Sequence, residues 1–138
     1  MSGKFDLPTA FYKHYSDVNP LHWYWPNFTP KEIACKGDGS LFIDMKAMDA
    51  LQKFRYFVKA PVIINSAYRS EKHNKAVGGS PKSQHLLGKA FDIRITNSLD
   101  RDTIHKAAKD AGFRGIGDYD NFCHIDTGQS RYWDLRTK

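Results

Sequence analysis

Along IDMKAMDALQKFRYFV (43–58), apolar side chains recur at Met48, Leu51, Phe54, Phe57 and Val58, a spacing that gathers them on one face of a helix. Asp44 stands where an N-cap belongs, and Pro61 lies just past the end. The pattern then changes. PVIINSAY (61–68) is rich in β-branched residues and predicts a buried strand. In the polar stretch RSEKHNKAVGGSPKS (69–83), Ser70 can cap a short helix that Gly78 and Gly79 break. KAFDIRI (89–95) alternates as a strand does. LDRDTIHKAAKDAGF (99–113) predicts a helix capped by Ser98 and stopped at Gly112. RGIGDY, NFCHIDTG and RYWDL predict short strands joined by turns. This order implies an α+β fold, with flanking helices on a small, mostly antiparallel sheet.

Residues 1–27 are aromatic and carry proline without a clear period. They predict an arm packing on a body formed by 28–138, with Trp23, Trp25 and Phe28 as a hydrophobic latch. The 138 residues suffice for one core. Two cysteines and no CxxC exclude a disulfide scaffold and a thiolate-rich zinc site. No stretch is long enough to span a membrane, and MSGKFDLPTAF lacks the pattern of a secretory signal. Synthesis in the cytoplasm and a monomeric state are the expectation. Lys and Arg total 21 against 15 Asp and Glu, a net charge of +6 that favours anionic partners such as cell wall, anionic lipid or nucleic acid. The basic residues are scattered, without a long run, as on an ordinary solvated surface.

The candidate chemistry lies in SQHLLGKAFD (83–92) and FCHID (122–126). Seven residues on a straight helix would hold His85 and Asp92 roughly 10 Å apart. Ligands of one zinc lie about 2 Å from it, so the chain must turn back between them, and Gly88 allows this. On the following strand Phe91, Ile93 and Ile95 take the core face, which turns Asp92 to a cleft beside the small Ala90. The same alternation puts Phe122, His124 and Asp126 on one face, and Cys123 with Ile125 on the core side. Paired strands would bring His124 to Asp92, with His85 arriving from the loop above. Two imidazoles and one carboxylate, with a fourth position open to water, have the form of a catalytic zinc site. His14, His22, His73 and His105 show no comparable context and are expected to be bystanders.

The wider stretches SAYRSEKHNKAVGGSPKSQHLLGKAFDI and GIGDYDNFCHIDTGQSRYW resemble the M15 family of zinc peptidases, in its D-alanyl-D-alanine carboxypeptidase-like branch. FTPKEIACKGDGSLFIDMKAMDALQKF is similar to that branch's N-terminal part, so the likeness spans roughly 28–133. The resemblance implies the fold shared by hedgehog domains and D,D-peptidases, Zn2+ held by His85, Asp92 and His124, and hydrolysis of peptidoglycan stem peptides. The bond would be D-Ala-D-Ala or L-Ala-D-Glu. Arg69 matches the family arginine, expected to pair with a substrate carboxylate or carbonyl, a task its guanidinium fork suits. Ser83 either holds the loop or touches substrate.

Where many members carry an acid three residues before the last zinc histidine, this chain has Asn121. Asp126 then becomes the first choice of general base and Asp120 the second, unless either instead steers His124. A peptidase without a leader would suit a phage lysin or virion component. The alternative is a non-catalytic zinc-stabilised module that binds cell wall. Nucleic-acid binding rests on net charge alone, and the carboxylates of the cleft would repel phosphate.

Overall fold

The computed structural model describes residues 9–137. Part of the expected N-terminal arm, residues 1–8, lies outside the described residues. Strand β1 (Thr9–Tyr12) pairs antiparallel with β2 (Leu41–Asp44), and the short helix α1 (Pro30–Ile33) lies between them in sequence. A capping box starts α1: the Thr29 hydroxyl accepts from the Glu32 amide while the Glu32 carboxylate accepts from the Thr29 amide.

Strand β2 runs straight into α2 (Met45–Val58), because Asp44 ends the one and caps the other, its Oδ1 accepting the Ala47 N–H at 3.0 Å. Met48, Leu51, Phe54 and Val58 are buried as the periodicity predicts, whereas Phe57 is exposed. Trp25 and Phe28 join the same core, and the Trp25 indole donates to Asp49 of α2 at 2.9 Å. Trp23 is half-buried and donates to the Phe28 carbonyl at 2.7 Å.

After β3 (Ile64–Ser66), α3 (Glu71–Ala76) is capped by Ser70, whose hydroxyl accepts from the His73 amide. Then come β4 (Ala90–Arg94), α4 (Arg101–Ala111), β5 (Gly115–Asp118), β6 (Phe122–Asp126) and β7 (Arg131–Asp134). They form a five-stranded sheet in the order β3-β4-β6-β5-β7. All its pairs are antiparallel except β5 with β7, so the chain has the α+β architecture expected, with one parallel edge.

Phe91, Ile93, Cys123 and Ile125 cover one face of the sheet and meet α2 and α4 there. Phe113 is the pivot of that interface, edge-on to both Phe54 and Phe91. The opposite face carries the functional residues. The α4 cap is Asp100 rather than Ser98: its carboxylate accepts the Thr103 N–H at 2.8 Å, and the helix therefore begins later than expected.

Gly88 closes the turn that carries His85. Its φ is 70°, and a Cβ there would stand 2.7 Å from the Phe42 carbonyl oxygen. Gly112 also has positive φ, but open space beside it. Alanine at either position pays a left-handed conformational cost of about 1 kcal/mol or more; at Gly88 it must also displace backbone. Urea unfolding should show a larger loss for Gly88→Ala than for Gly112→Ala, and equal losses would contradict this packing.

Candidate metal centre

Antiparallel pairing of β4 with β6 sets Asp92 opposite His124 and Ala90 opposite Asp126. His85 comes from the 3-10 turn Gln84–Leu87, which Ser83 caps by accepting the His85 amide at 3.1 Å. Ser83 thus holds the loop while also lining the cleft. One donor atom from each of His85, Asp92 and His124 lies within 4.8 Å of the others, and all three residues are buried.

The hydrogen bonds around these groups define which atoms converge. His85 Nδ1 sits 2.6 Å from the Ala67 carbonyl, which can only accept, so this nitrogen carries the proton. His124 Nε2 lies 2.7 Å from Asp126 Oδ2 and donates to that carboxylate. In the neutral imidazoles, His85 Nε2 and His124 Nδ1 are therefore lone pairs. They aim at one oxygen, Asp92 Oδ1, from 3.2 and 3.1 Å. Lone pairs converging on an anion need a cation among them, either added protons or a metal ion. The donor set of two imidazole nitrogens and a carboxylate oxygen fits zinc.

Both carboxylates are held in the charged form. Burial opposes ionisation of Asp92, but the facing His124 and His85 imidazoles, donors to it once protonated, outweigh burial and keep its pKa well below the usual range. For Asp126, burial is likewise outweighed by His124 and Arg131, and its pKa is lowered. Burial pulls the His124 pKa down, yet Asp126 and Asp92 together raise it.

Arg69, Ser83, His85, Asp92 and His124 border one cleft of about 480 Å³, a volume suited to a short peptide. Arg69 donates to Asp92 Oδ2 at 3.4 Å, to Ser66 and to Asn74, so it braces the carboxylate.

Neither expected general base borders the cleft. Asp126 is fully buried, with Arg131 donating to both its oxygens and the Gly128 amide to one. It contacts His124 directly, because the imidazole ring reaches along the strand face. Asp120 is exposed and engaged by the Thr137 amide and hydroxyl. Among the described residues lining the cleft, Asp92 is the one carboxylate.

Trp133 and Arg131 also belong to the site. The indole lies 5.1 Å from the His124 ring, with the Arg131 guanidinium 4.9 Å over it. The signal was in RYWDL, where alternation puts Arg131 and Trp133 on one face, the same device that located Asp92.

His105 is no bystander. It lies 2.7 Å from the buried Asp118, which also accepts from Arg101 at 2.9 Å and Tyr132 at 2.7 Å. His105, Asp118 and Cys123 are close enough for a second metal, but the Arg101 guanidinium already supplies the positive charge there. Burial and then the charge of Asp118 push the Cys123 thiol up to about 12, so it stays protonated and acts as core packing.

In the metal-free protein the Asp92 and Asp126 contribution to stability is present above the model-peptide value of 3.8 and is lost as pH falls through their folded values. That of His124 is full below 6.5 and lost as pH rises through its folded value. The chelated protein should therefore be less stable at about pH 9 than at about pH 6. Asp126→Asn should lower the His124 titration midpoint in imidazole NMR spectra; an unchanged midpoint would contradict the assigned contact.

A family model described as Peptidase M15 matches residues 26–126. Peptidoglycan L,D-endopeptidase MepK of Escherichia coli (strain K12) is 35% identical over 100 residues, covering 66% of this chain and 54% of that protein. MepK of Shigella flexneri matches to the same extent. Zinc D-Ala-D-Ala carboxypeptidase of Streptomyces albus G is 30% identical over 78 residues, 53% of this chain and 30% of that protein. The chain spans about half the length of the MepK proteins it matches.

Proposed function

Since the chain belongs to the peptidase M15 family, we propose that it is a zinc-dependent peptidase that hydrolyses peptide bonds of peptidoglycan stem peptides. The observation that carries this reading is the convergence of His85 Nε2, Asp92 Oδ1 and His124 Nδ1 on one point at the floor of an open cleft. Zinc held there supplies a Lewis acid that polarises the scissile carbonyl and acidifies a bound water.

The remaining residues position and select. Asp126, locked by Arg131, keeps the His124 ring turned so that Nδ1 faces the point where zinc would be held, and the Ala67 carbonyl does so for His85 Nε2. Arg69, Lys82 and Arg131 make the cleft wall cationic, which suits the carboxylates of stem peptides. Beyond its three internal bonds, the Arg69 guanidinium retains two N–H groups for a substrate oxygen. The longer match to MepK supports cleavage of an L,D bond ahead of removal of a terminal D-alanine. The place of action on this reading is the bacterial cell wall, and a monomeric lysin is the setting it suits. That Asp92 is the one carboxylate among the described residues lining the cleft supports one other reading, a zinc-holding module that binds cell wall without cutting it.

Metal analysis and muropeptide release from purified sacculi should be measured on the same preparations. Wild type should carry one equivalent of zinc and release products, His85→Ala should lose both, and Asp126→Asn should bind zinc about 10- to 100-fold more weakly. Zinc-loaded wild type that releases nothing from sacculi of several stem chemistries would favour the binding module. Zinc competes with a proton for His124 Nδ1, whose protonation Asp126 and Asp92 favour. Zinc affinity measured by calorimetry should therefore weaken on acidification; a pH-independent affinity would contradict this ligand.

A further inference from the structure

The aromatic wall beside His124 is built to hold one hydroxyl still. Gly117 lies opposite His124 in the pairing of β5 with β6, and it is bare where the Trp133 indole rests: a Cβ there would come within 2.2 Å of the ring. The indole N–H donates to the Tyr119 hydroxyl at 3.1 Å. The Tyr119 ring stacks on Phe122 with centroids 4.5 Å apart and planes 6° from parallel. Its backbone is tied at both ends, the amide donating to the Phe122 carbonyl and the carbonyl accepting from Arg101 at 2.8 Å. Tyr119, Trp133, His124 and Asp92 line the same cleft.

An indole N–H can only donate, so the phenol oxygen accepts in this contact and keeps its own hydrogen for another acceptor. Among the charged donors of the cleft, Arg131 is held on Asp126, Lys82 stands on an exposed loop, and Arg69 is anchored on Asp92 with its two remaining N–H groups left for another substrate oxygen. We infer that Tyr119 is a further catalytic residue, its hydroxyl donating a hydrogen bond to the scissile carbonyl oxygen as that oxygen becomes an oxyanion.

This inference rests on the peptidase reading above. Water adds its oxygen to the carbonyl carbon, and the carbonyl π pair moves onto the oxygen that Tyr119 contacts. That pair then reforms the carbonyl as the C–N bond breaks. The amine leaves with the electron pair of that bond and takes up both protons of the attacking water as an ammonium, and a carboxylate remains. Tyr119 keeps its proton throughout. A donor fixed in advance costs no reorganisation when charge develops, which is why such groups weigh on turnover rather than on substrate binding.

Tyr119→Phe removes one oxygen and retains the stack on Phe122. Zinc-loaded wild type and variant should be compared in muropeptide turnover and in calorimetric affinity for two ligands. One is a phosphinate analogue of the cleaved peptide, whose tetrahedral anionic centre copies the oxyanion; the other is the product peptide. The expected result is a fall in kcat of about 100-fold with KM and zinc stoichiometry unchanged. Phosphinate affinity should fall by a similar factor and product affinity should hold. Wild-type kcat and phosphinate affinity in the variant would overturn the inference. So would equal losses for phosphinate and product, which would mark a packing role. Failure of the underlying reading looks different: zinc-loaded wild type would neither cleave sacculi nor bind the phosphinate, and both proposals would fall together.

Discussion

The antiparallel pairing of β4 with β6 is the constraint on which the site depends. Its register puts Asp92 opposite His124 and Ala90 opposite Asp126, and each buried neighbour along those strands faces the helices instead. Because strand side chains alternate with a period of two, a slip by one residue would bury the ligands in the apolar core and expose Phe91 and Ile125. The packing of Phe91, Phe113 and Phe54 therefore fixes the chemistry on the other side of the sheet without touching it.

Four aspartates are buried among the described residues; Asp44 caps α2, and each of the other three is matched by basic groups. Asp92 faces Arg69 and two imidazoles, Asp126 faces Arg131 and His124, and Asp118 faces Arg101 and His105. The difference lies in what each leaves open. Asp126 and Asp118 have both oxygens committed, whereas Asp92 turns one oxygen toward a point shared with two nitrogens. That contrast separates the candidate metal centre from the His105, Asp118 and Cys123 group, which has a similar composition but a guanidinium in place of an ion.

Much of this was legible in the sequence because it followed from alternation. The turn at Gly88, the outward face of Asp92 and the inward face of Cys123 needed only the period of a strand. For Asp126 the sequence left two readings open, base or steering group for His124, and the role of Asp118 was not legible. Asp126 shares the face of His124, as alternation required, but its environment is set by Arg131 across the turn at 127–130, and no local period reports that closure. Asp118 meets Arg101 across 17 residues, a contact made by the packing of α4 on the sheet. The cap of α4 was misplaced because Ser98 and Asp100 are both good capping residues, and the geometry of the Thr96 to Leu99 turn chose the second. The parallel β5 and β7 pair, which brings Trp133 to Gly117, was invisible for the same non-local reason.

The central claim is that two imidazoles and one carboxylate, without a thiolate, hold the metal. X-ray absorption at the zinc edge of the purified, zinc-loaded protein tests it most directly. The expected spectrum has only light scatterers at about 2.0–2.2 Å with the multiple-scattering pattern of two imidazoles. A sulfur shell at about 2.3 Å would place Cys123 or Cys35 on the metal and contradict the register argument, and a spectrum without imidazole scattering would remove His85 and His124 from the centre.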